Sequence, residues 1–406
     1  MAERKKKSTE VAKPNGFIYE IARVAARIFL WCTGGYRCTG DAIPKDGPVL
    51  VLAAHGGMLD FLPVGLAVPG RRVRFVITER FLRGGLLSKF LRLLAVIPKM
   101  QFHADPRCMS QILRTLRSDG TVGIFPAGQT SLCGVPGEVS PVIAKLVKKS
   151  GANVVAVRLQ GSFFAKARFI KGIHRCPIHA EVKLLYTPET LKEASEEEIY
   201  DAIYAGIYYD EFAWQAQHNI RVRSKNRADG YDRVLYACPN CASLYTIRSE
   251  GNRVCCTACG VEANVGEDMR LHWEDEMQLP ENLRDWYFRQ QWAAETALAQ
   301  PGYTLEAPVT VLDFPDGKEF PVGQGKLILS RETLRYEGSY AGEAGYTYEW
   351  KREQLSGVVA KPGEFVELFH NDLDRLLRFR VKHPGQAIQL KILCEAKVEE
   401  FEDFED

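Results

Sequence analysis

The sequence has no surplus of charge of either sign: 53 Lys and Arg stand against 51 Asp and Glu, a net charge of +2 over 406 residues. A chain so close to neutral does not coat nucleic acid with its whole surface. It also lacks a long uninterrupted apolar run. Gly47 to Gly70 approaches membrane-spanning length, but it contains His55, Gly56, Gly57, Asp60 and Pro63, which suit a soluble strand, a loop and a helix start. No secretory signal is visible, because Arg4 to Lys7 is followed by polar sequence and not by an apolar core with a small-residue cleavage site. Repeats of fixed period are absent, and a composition of 46% hydrophobic and 26% charged residues excludes collagen-like and wholly disordered chains. Cysteine is too dilute for a disulfide scaffold. There are 11, an odd number, and four of them take a metal-ligand spacing that needs reduced thiolates, which points to the cytoplasm.

What is present is an asymmetry. Met1 to Gly120 carries 20 Lys and Arg against 9 Asp and Glu, whereas the last 20 residues carry 2 Lys against 7 acids. The basic front end suits an anionic partner, with membrane lipid and acidic metabolites ahead of DNA. After a polar, basic stretch, a helical pattern begins at Gly16 and stops at Gly34-Gly35. Its polar stripe of Glu20, Arg23 and Arg27 is narrow; Phe17, Ile18, Ile21, Val24, Ile28, Phe29 and Trp31 occupy the rest. Such a helix packs on the body of the protein or lies in a membrane interface, where Lys5 to Lys7 would add attraction to anionic lipid.

Short apolar runs then alternate with helical patterns. Val49 to Ala54, Arg74 to Ile77, Val122 to Phe125 and Val154 to Leu159 read as buried strands; Leu59 to Ala67, Leu86 to Leu94, Pro106 to Arg117 and Pro141 to Ser150 read as helices. This is an α/β layout. Ser195 with Glu198 forms a capping box that opens a helix running to about Tyr209. The expected division is a basic tail and amphipathic helix over 1–39, an α/β domain with a mixed sheet over 40–230, a cysteine-paired segment over 231–265, a helical connector over 266–305 and a β-rich domain over 306–406.

At the end of the first buried strand stands Ala54-His55-Gly56-Gly57-Met58-Leu59-Asp60. A carboxylate five residues beyond a histidine, with two glycines between, can turn back onto one ring nitrogen and leave the other free. That fixes the tautomer and supports the imidazolium formed when the ring takes a proton. The same spacing also occurs as a capping or satisfied polar pair. A second strand runs into Phe125-Pro126-Ala127-Gly128-Gln129-Thr130-Ser131, turn chemistry that can present backbone N–H groups to a carbonyl oxygen or an anion.

Together these segments resemble the glycerolipid acyltransferases, also called lysophospholipid or 1-acylglycerol-3-phosphate acyltransferases, whose first block is H-x-x-x-x-D and whose third is F-P-E-G-T-R-S. Phe90 to Leu94 with Ala95-Val96-Ile97-Pro98 resembles the second block, and Val154 to Gly161 the fourth, so that the resemblance spans roughly residues 40 to 220. It implies that His55 is the general base for an acceptor hydroxyl, that Asp60 orients it, and that Phe125, Pro126, Gly128, Gln129, Thr130 and Ser131 line the substrate. The donor it implies is acyl-CoA or acyl carrier protein, and the acceptor a lysophospholipid-type lipid at the inner face of the cell membrane. The chain departs from the family at Ala127, where Glu is usual, at Gln129 and Thr130, which replace Thr-Arg, and at Gln101, near the usual second-block Arg. Both cations that grip the acceptor phosphate are therefore missing, and Gln or Thr cannot imitate bidentate Arg–phosphate bonds. Lys99, or Arg80 and Arg83, would have to supply the charge; otherwise the acceptor is a non-phosphate head group, as in hemolysin-like acyltransferases, or a lysolipid whose phosphate lies differently. A non-catalytic lipid-binding scaffold is the alternative of a different class.

Cys238-Pro-Asn-Cys241 and, after fourteen intervening residues, Cys256-Thr-Ala-Cys259 are two C-x-x-C knuckles at zinc-ribbon separation, with Ser243 to Val254 as the hairpin between them. Four thiolates close the coordination sphere, so a structural Zn²⁺ is expected. The flanks lack a dense basic stripe with stacking aromatics, and no nucleic acid is expected as a partner. Pro280 precedes a helix, Glu281 to Gln300. Seven short strands from Val309 to Val381 and a helix from Ala387 to Phe404 resemble a pleckstrin-homology-like or GRAM-like module. Oligomeric state is not legible in the sequence.

Overall fold

The computed structural model describes residues 12–100, 105–274, 278–314, 318–355 and 357–397. The expectations for the basic stretch Arg4 to Lys7, for Gln101 and for the part of the helix Ala387 to Phe404 beyond Lys397 lie outside the described residues. The chain divides into two compact units, one of residues 1–131, 135–165 and 175–214, the other of 132–134, 166–174 and 215–406.

The first unit is built on a seven-stranded mixed sheet of β1 (Tyr36–Gly40), β2 (Val49–Ala53), β3 (Val73–Thr78), β4 (Ile97–Lys99), β5 (Thr121–Ile124), β6 (Asn153–Gln160) and β7 (Ile178–Tyr186), in the order β1-β7-β6-β2-β5-β3-β4. β2 lies parallel to both β5 and β6, and β3 parallel to β5 and β4, while β7 runs antiparallel to β6. All five residues of β2 are buried, as expected for a central strand covered on both faces. Its side chains alternate between two cores. Leu50 and Leu52 pack with Val122, Val154 and Ala156 under helices α4 (Pro106–Arg117), α5 (Val142–Ser150) and α8 (Glu196–Ile207); Val49 and Val51 pack with Val155, Val157 and Val64 of α2 (Phe61–Ala67). Because β2, β3, β4, β5 and β6 point the same way, the loops leaving their C-terminal ends share one edge of the sheet.

Helix α1 (Gly16–Cys32) opens on Asn15, whose side chain accepts the Ile18 N–H at 3.1 Å. It buries Tyr19, Ala26 and Leu30, and the Tyr19 hydroxyl accepts the Val73 N–H at 2.8 Å. The opposite apolar residues Phe17, Ile21, Val24, Ile28 and Trp31 are exposed. The Asn15 N–H donates to the Leu93 carbonyl at 2.8 Å and joins the start of α1 to the end of α3 (Gly85–Leu93), where Leu86, Leu87, Phe90 and Leu93 are also exposed. Three further helices are α6 (Ser162–Lys166), α7 (Pro188–Glu193) and α9 (Glu211–His218). Among the described residues no helix is long and apolar enough to cross a membrane.

The second unit begins with the short α10 (Tyr231–Val234) and a four-stranded antiparallel sheet of β8 (Ile247–Glu250), β9 (Arg253–Cys256), β10 (Glu262–Val265) and β11 (Leu271–Trp273). α11 (Leu283–Ala299) follows, its Trp286 indole donating to the Ala237 carbonyl at 2.9 Å. A seven-stranded antiparallel sheet of β12 (Leu305–Asp313), β13 (Phe320–Leu329), β14 (Thr333–Tyr340), β15 (Glu343–Lys351), β16 (Val359–Lys361), β17 (Phe365–His370) and β18 (Arg375–Val381) has the order β15-β14-β13-β12-β18-β17-β16 and packs beside α12 (Gln386–Glu395). Each of the seven strands expected beyond residue 306 is found. Three strands of the first sheet escape sequence patterning: β1 and β4 are five and three residues long, and β7 interrupts its apolar residues with His179, Glu181 and Lys183.

Candidate active site and metal cluster

The chain leaves β2 at Ala54 and turns through His55, Gly56 and Gly57 before α2 begins, so that Asp60 returns to the histidine. His55 Nδ1 and Asp60 Oδ2 are 2.8 Å apart. Asp60 is wholly buried, and its two carboxylate oxygens accept the Gly57 N–H at 3.1 and 3.0 Å. The carboxylate is thus held in place by the backbone and faces the imidazole at hydrogen-bond distance. With Nδ1 donating to Asp60, His55 Nε2 is the ring nitrogen left to accept a proton.

The neighbouring strand β5 supplies the second segment, as the register Leu52↔Ile124 dictates. The Phe125 ring stacks on the His55 imidazole with centroids 4.3 Å apart, and Phe75 of β3 stacks behind Phe125 at 5.9 Å. Pro126 starts the turn; Gly128 adopts φ +68°, and its N–H donates to the Phe125 carbonyl at 3.0 Å. Ser131 donates its N–H to the His55 carbonyl at 2.8 Å and its hydroxyl to the Val135 carbonyl at 2.6 Å. The N–H groups of Gly128 and Ser131 thus close the loop and tie it to His55. Gln129 is half-buried, while the Thr130 hydroxyl is buried with no hydrogen-bond partner among the described residues. Lys99 ends β4 on the same edge, three strands from β2, which at ~4.8 Å per strand is about 14 Å across the sheet. It is exposed, and Arg80 and Arg83 follow β3, one strand nearer.

On the other side of β2 the loop after β6 closes against the same turn. A Cβ on Gly57 would meet the Ser162 carbonyl oxygen at 2.4 Å, and one on Gly56 would meet Ser162 Oγ at 3.0 Å and the Tyr209 hydroxyl at 3.2 Å. Only glycines allow that approach. Glu211, the first residue of α9, is wholly buried; its carboxyl oxygens accept the Gly161 N–H at 2.5 Å and the Phe163 N–H at 3.1 Å. Burial pushes this carboxyl up to about 8, with the charges of Asp60 and Asp210 acting in the same direction and the two N–H donors opposing. Sequence reading does not find Glu211, Ser162 or Tyr209. Glu211 lies 156 residues from His55, and the available signal, an acid opening a helix, is common on surfaces.

In the second unit the four expected thiols converge. Sγ atoms of Cys238, Cys241, Cys256 and Cys259 all lie within 4.8 Å of one another, with 3.7 Å between Cys238 and Cys259 and 3.8 Å between Cys241 and Cys256. Thiolates bound at ~2.3 Å around a tetrahedral zinc are about 3.8 Å apart, so the spacing fits. None is in a disulfide, and Cys238 Sγ accepts backbone N–H groups from Asn240 and Cys241 at 3.4 and 3.5 Å. Hydrogen bonding to Ser243 lowers the Cys241 thiol to about 6. The cluster can hold a metal ion through four sulfurs.

Residues 35–161 match the family model described as acyltransferase. Over 157 residues the chain is 23% identical to the 1-acyl-sn-glycerol-3-phosphate acyltransferase of Bacillus subtilis (strain 168), covering 38% of this chain and 77% of that protein. Among solved structures it is similar to the 1-acyl-sn-glycerophosphate (LPA) acyltransferase, PlsC, from Thermotoga maritima, with 19% identity, a TM-score of 0.40 and coverage of 47% of this chain and 77% of the other.

Proposed function

We propose that this chain, whose residues 35–161 are an acyltransferase-family domain, moves a fatty acyl group from a thioester donor, acyl-CoA or acyl carrier protein, to the hydroxyl of a lysophospholipid-type acceptor. The observation that carries the reading is the buried Asp60 carboxylate 2.8 Å from His55 Nδ1, with a second family segment stacked on the same imidazole. His55 Nε2 takes the acceptor's hydroxyl proton as its oxygen attacks the thioester carbonyl. The tetrahedral oxyanion collapses, the C–S bond breaks, and the imidazolium returns its proton to the departing thiolate. Asp60 stabilises the imidazolium between the two transfers.

The acceptor's anionic head would lie toward Lys99, Arg80 and Arg83, the cations on the edge that His55 shares. Membrane contact would come through the exposed apolar side chains of α1 and α3, flanked by Arg72, Arg83, Lys89 and Arg92. A single zinc held by Cys238, Cys241, Cys256 and Cys259 would be structural, since four sulfurs leave no position for substrate. Mass spectrometry of products from the purified protein, offered acyl-CoA or acyl carrier protein with a panel of lysolipids, tests the reaction. An acylated lysolipid is the expected product; acylation of an amine or a non-phosphate head group would replace the acceptor, and no product with any pair would remove the reading.

A further inference from the structure

The His55–Asp60 pair is backed by a second buried carboxyl that the mechanism above does not use. Glu211 bridges the N–H groups of Gly161 and Phe163, either side of Ser162, the residue whose carbonyl and hydroxyl face Gly57 and Gly56. Gly161 itself has φ +83°, and a Cβ there would meet the Pro177 carbonyl oxygen at 2.1 Å, so the turn requires glycine at this position. The chain of contacts is short: Glu211 fixes the turn 161–163, the turn abuts Gly56-Gly57, and the Gly57 N–H fixes the Asp60 carboxylate that holds His55.

The geometry points to Glu211 as a positioning residue for acyl transfer, one that sets the Gly56-Gly57 wall behind His55 and couples a second ionisation to the Asp60–His55 pair. It rests on the acyl-transfer reading of that pair. The groups facing Glu211 are Asp60 from the loop after β2, Asp210 beside it, and Cys176 ahead of β7, whose thiol burial and Glu211 together hold well above its ordinary range. From the turn after β6 the Gly161 and Phe163 N–H groups face it. Asp60 and Glu211 feel each other's charge, so an ionised Glu211 adds a second negative charge near Asp60, and that charge favours the imidazolium that His55 becomes during transfer. The carboxyl lies near 8, so the gain comes as pH rises through that value.

The test compares wild type, Glu211→Gln, Glu211→Asp and Ile203→Val across pH 6 to 9.5 with the full-length protein and the thioester–lysolipid pair that wild type turns over. Ile203 is buried in α8 and serves as the control for lost packing alone. Gln keeps the shape but cannot accept both N–H groups or ionise. Its kcat is expected to fall about tenfold or more with KM within ~2-fold, because misplaced catalytic groups cost turnover before binding. The rise in wild-type kcat near pH 8 should vanish in Glu211→Gln, persist in Glu211→Asp at lower kcat, and persist at full kcat in Ile203→Val. Wild-type kcat and an unchanged pH profile in Glu211→Gln, or in Glu211→Asp should the Gln variant not fold, would overturn the inference. An inactive wild type would instead overturn the acyl-transfer reading. The titration of a buried carboxyl by infrared difference spectroscopy would then still read the coupling, since Asp60→Asn should move its midpoint down; an unmoved midpoint would overturn it.

Discussion

The imidazole of His55 lies nearly parallel to the ring of Phe125, their centroids 4.3 Å apart and their planes at 23°. Asp60 fixes the imidazole at one nitrogen, and the stacked ring limits how it can tilt about that bond. Leu at position 125 would keep the apolar cover and lose the plane. An aromatic pair contributes about 0.5–1.5 kcal/mol beyond its buried area. If that orientation is expressed in the transition state, Phe125→Leu lowers kcat about 2- to 13-fold. Steady-state kinetics check this, with KM for the acceptor expected to change less than kcat.

Glu211 should also leave a mark on stability. Its carboxyl has an ordinary value of 4.5 and is held near 8 by burial in the folded protein. The folded state thus keeps a proton that the unfolded chain releases, so the stability of wild type relative to Glu211→Gln is greatest below 4.5 and declines as pH rises, levelling off above about 8. The predicted difference amounts to several kcal/mol, on an order-of-magnitude basis. Urea melts of both proteins at pH 5, 6.5 and 8 read it directly; parallel curves at all three values would contradict the buried, protonated carboxyl.

Much of this site was legible because it is local. His55 and Asp60 are five residues apart, two glycines permit the turn between them, and the apolar runs around Val49 to Ala53 and Val154 to Leu159 name their own strands by being buried on both faces. Phe125 could be named as a site residue from its segment, but its place on the imidazole required β5 to lie beside β2, a pairing that no spacing encodes. Glu211 was beyond reach for the same reason. It meets the site only because β6 flanks β2 on the other side, and its helix mixes Glu211, Phe212, Trp214 and Gln215 without a clear amphipathic stripe. The cysteine cluster was readable from spacing alone, since two knuckles and a short hairpin leave few ways to arrange four sulfurs.

Zinc content provides a third check. The purified chain should carry one zinc, and Cys256→Ser should lower it, because Cys256 is a buried member of the cluster whose Sγ lies 3.8 Å from that of Cys241. Removal by a strong chelator should raise amide exchange across residues 238–259, which close around the sulfurs. Full protection in the metal-free protein would show that the hairpin folds without the ion.

The exposed face of α1 and α3 gives a fourth. Trp31 is 76% and Leu86 84% exposed, so charged substitutions there leave the packed core untouched. Each large apolar side chain withdrawn from a membrane interface forfeits roughly 1.5–3 kcal/mol. Trp31→Glu with Leu86→Glu should therefore weaken co-sedimentation with anionic vesicles at least ~10-fold, while turnover of a short-chain, water-soluble acceptor stays near wild type. Undiminished vesicle binding would move the membrane contact elsewhere.

The central claim is that His55 is the base. The most direct measurement is the rate of acylated product formation by His55→Ala, with circular dichroism and melting temperature confirming the fold. A loss of about 10²- to 10⁴-fold in kcat against an intact fold is the predicted result. A folded His55→Ala protein that acylates the same acceptor at the wild-type rate would contradict it.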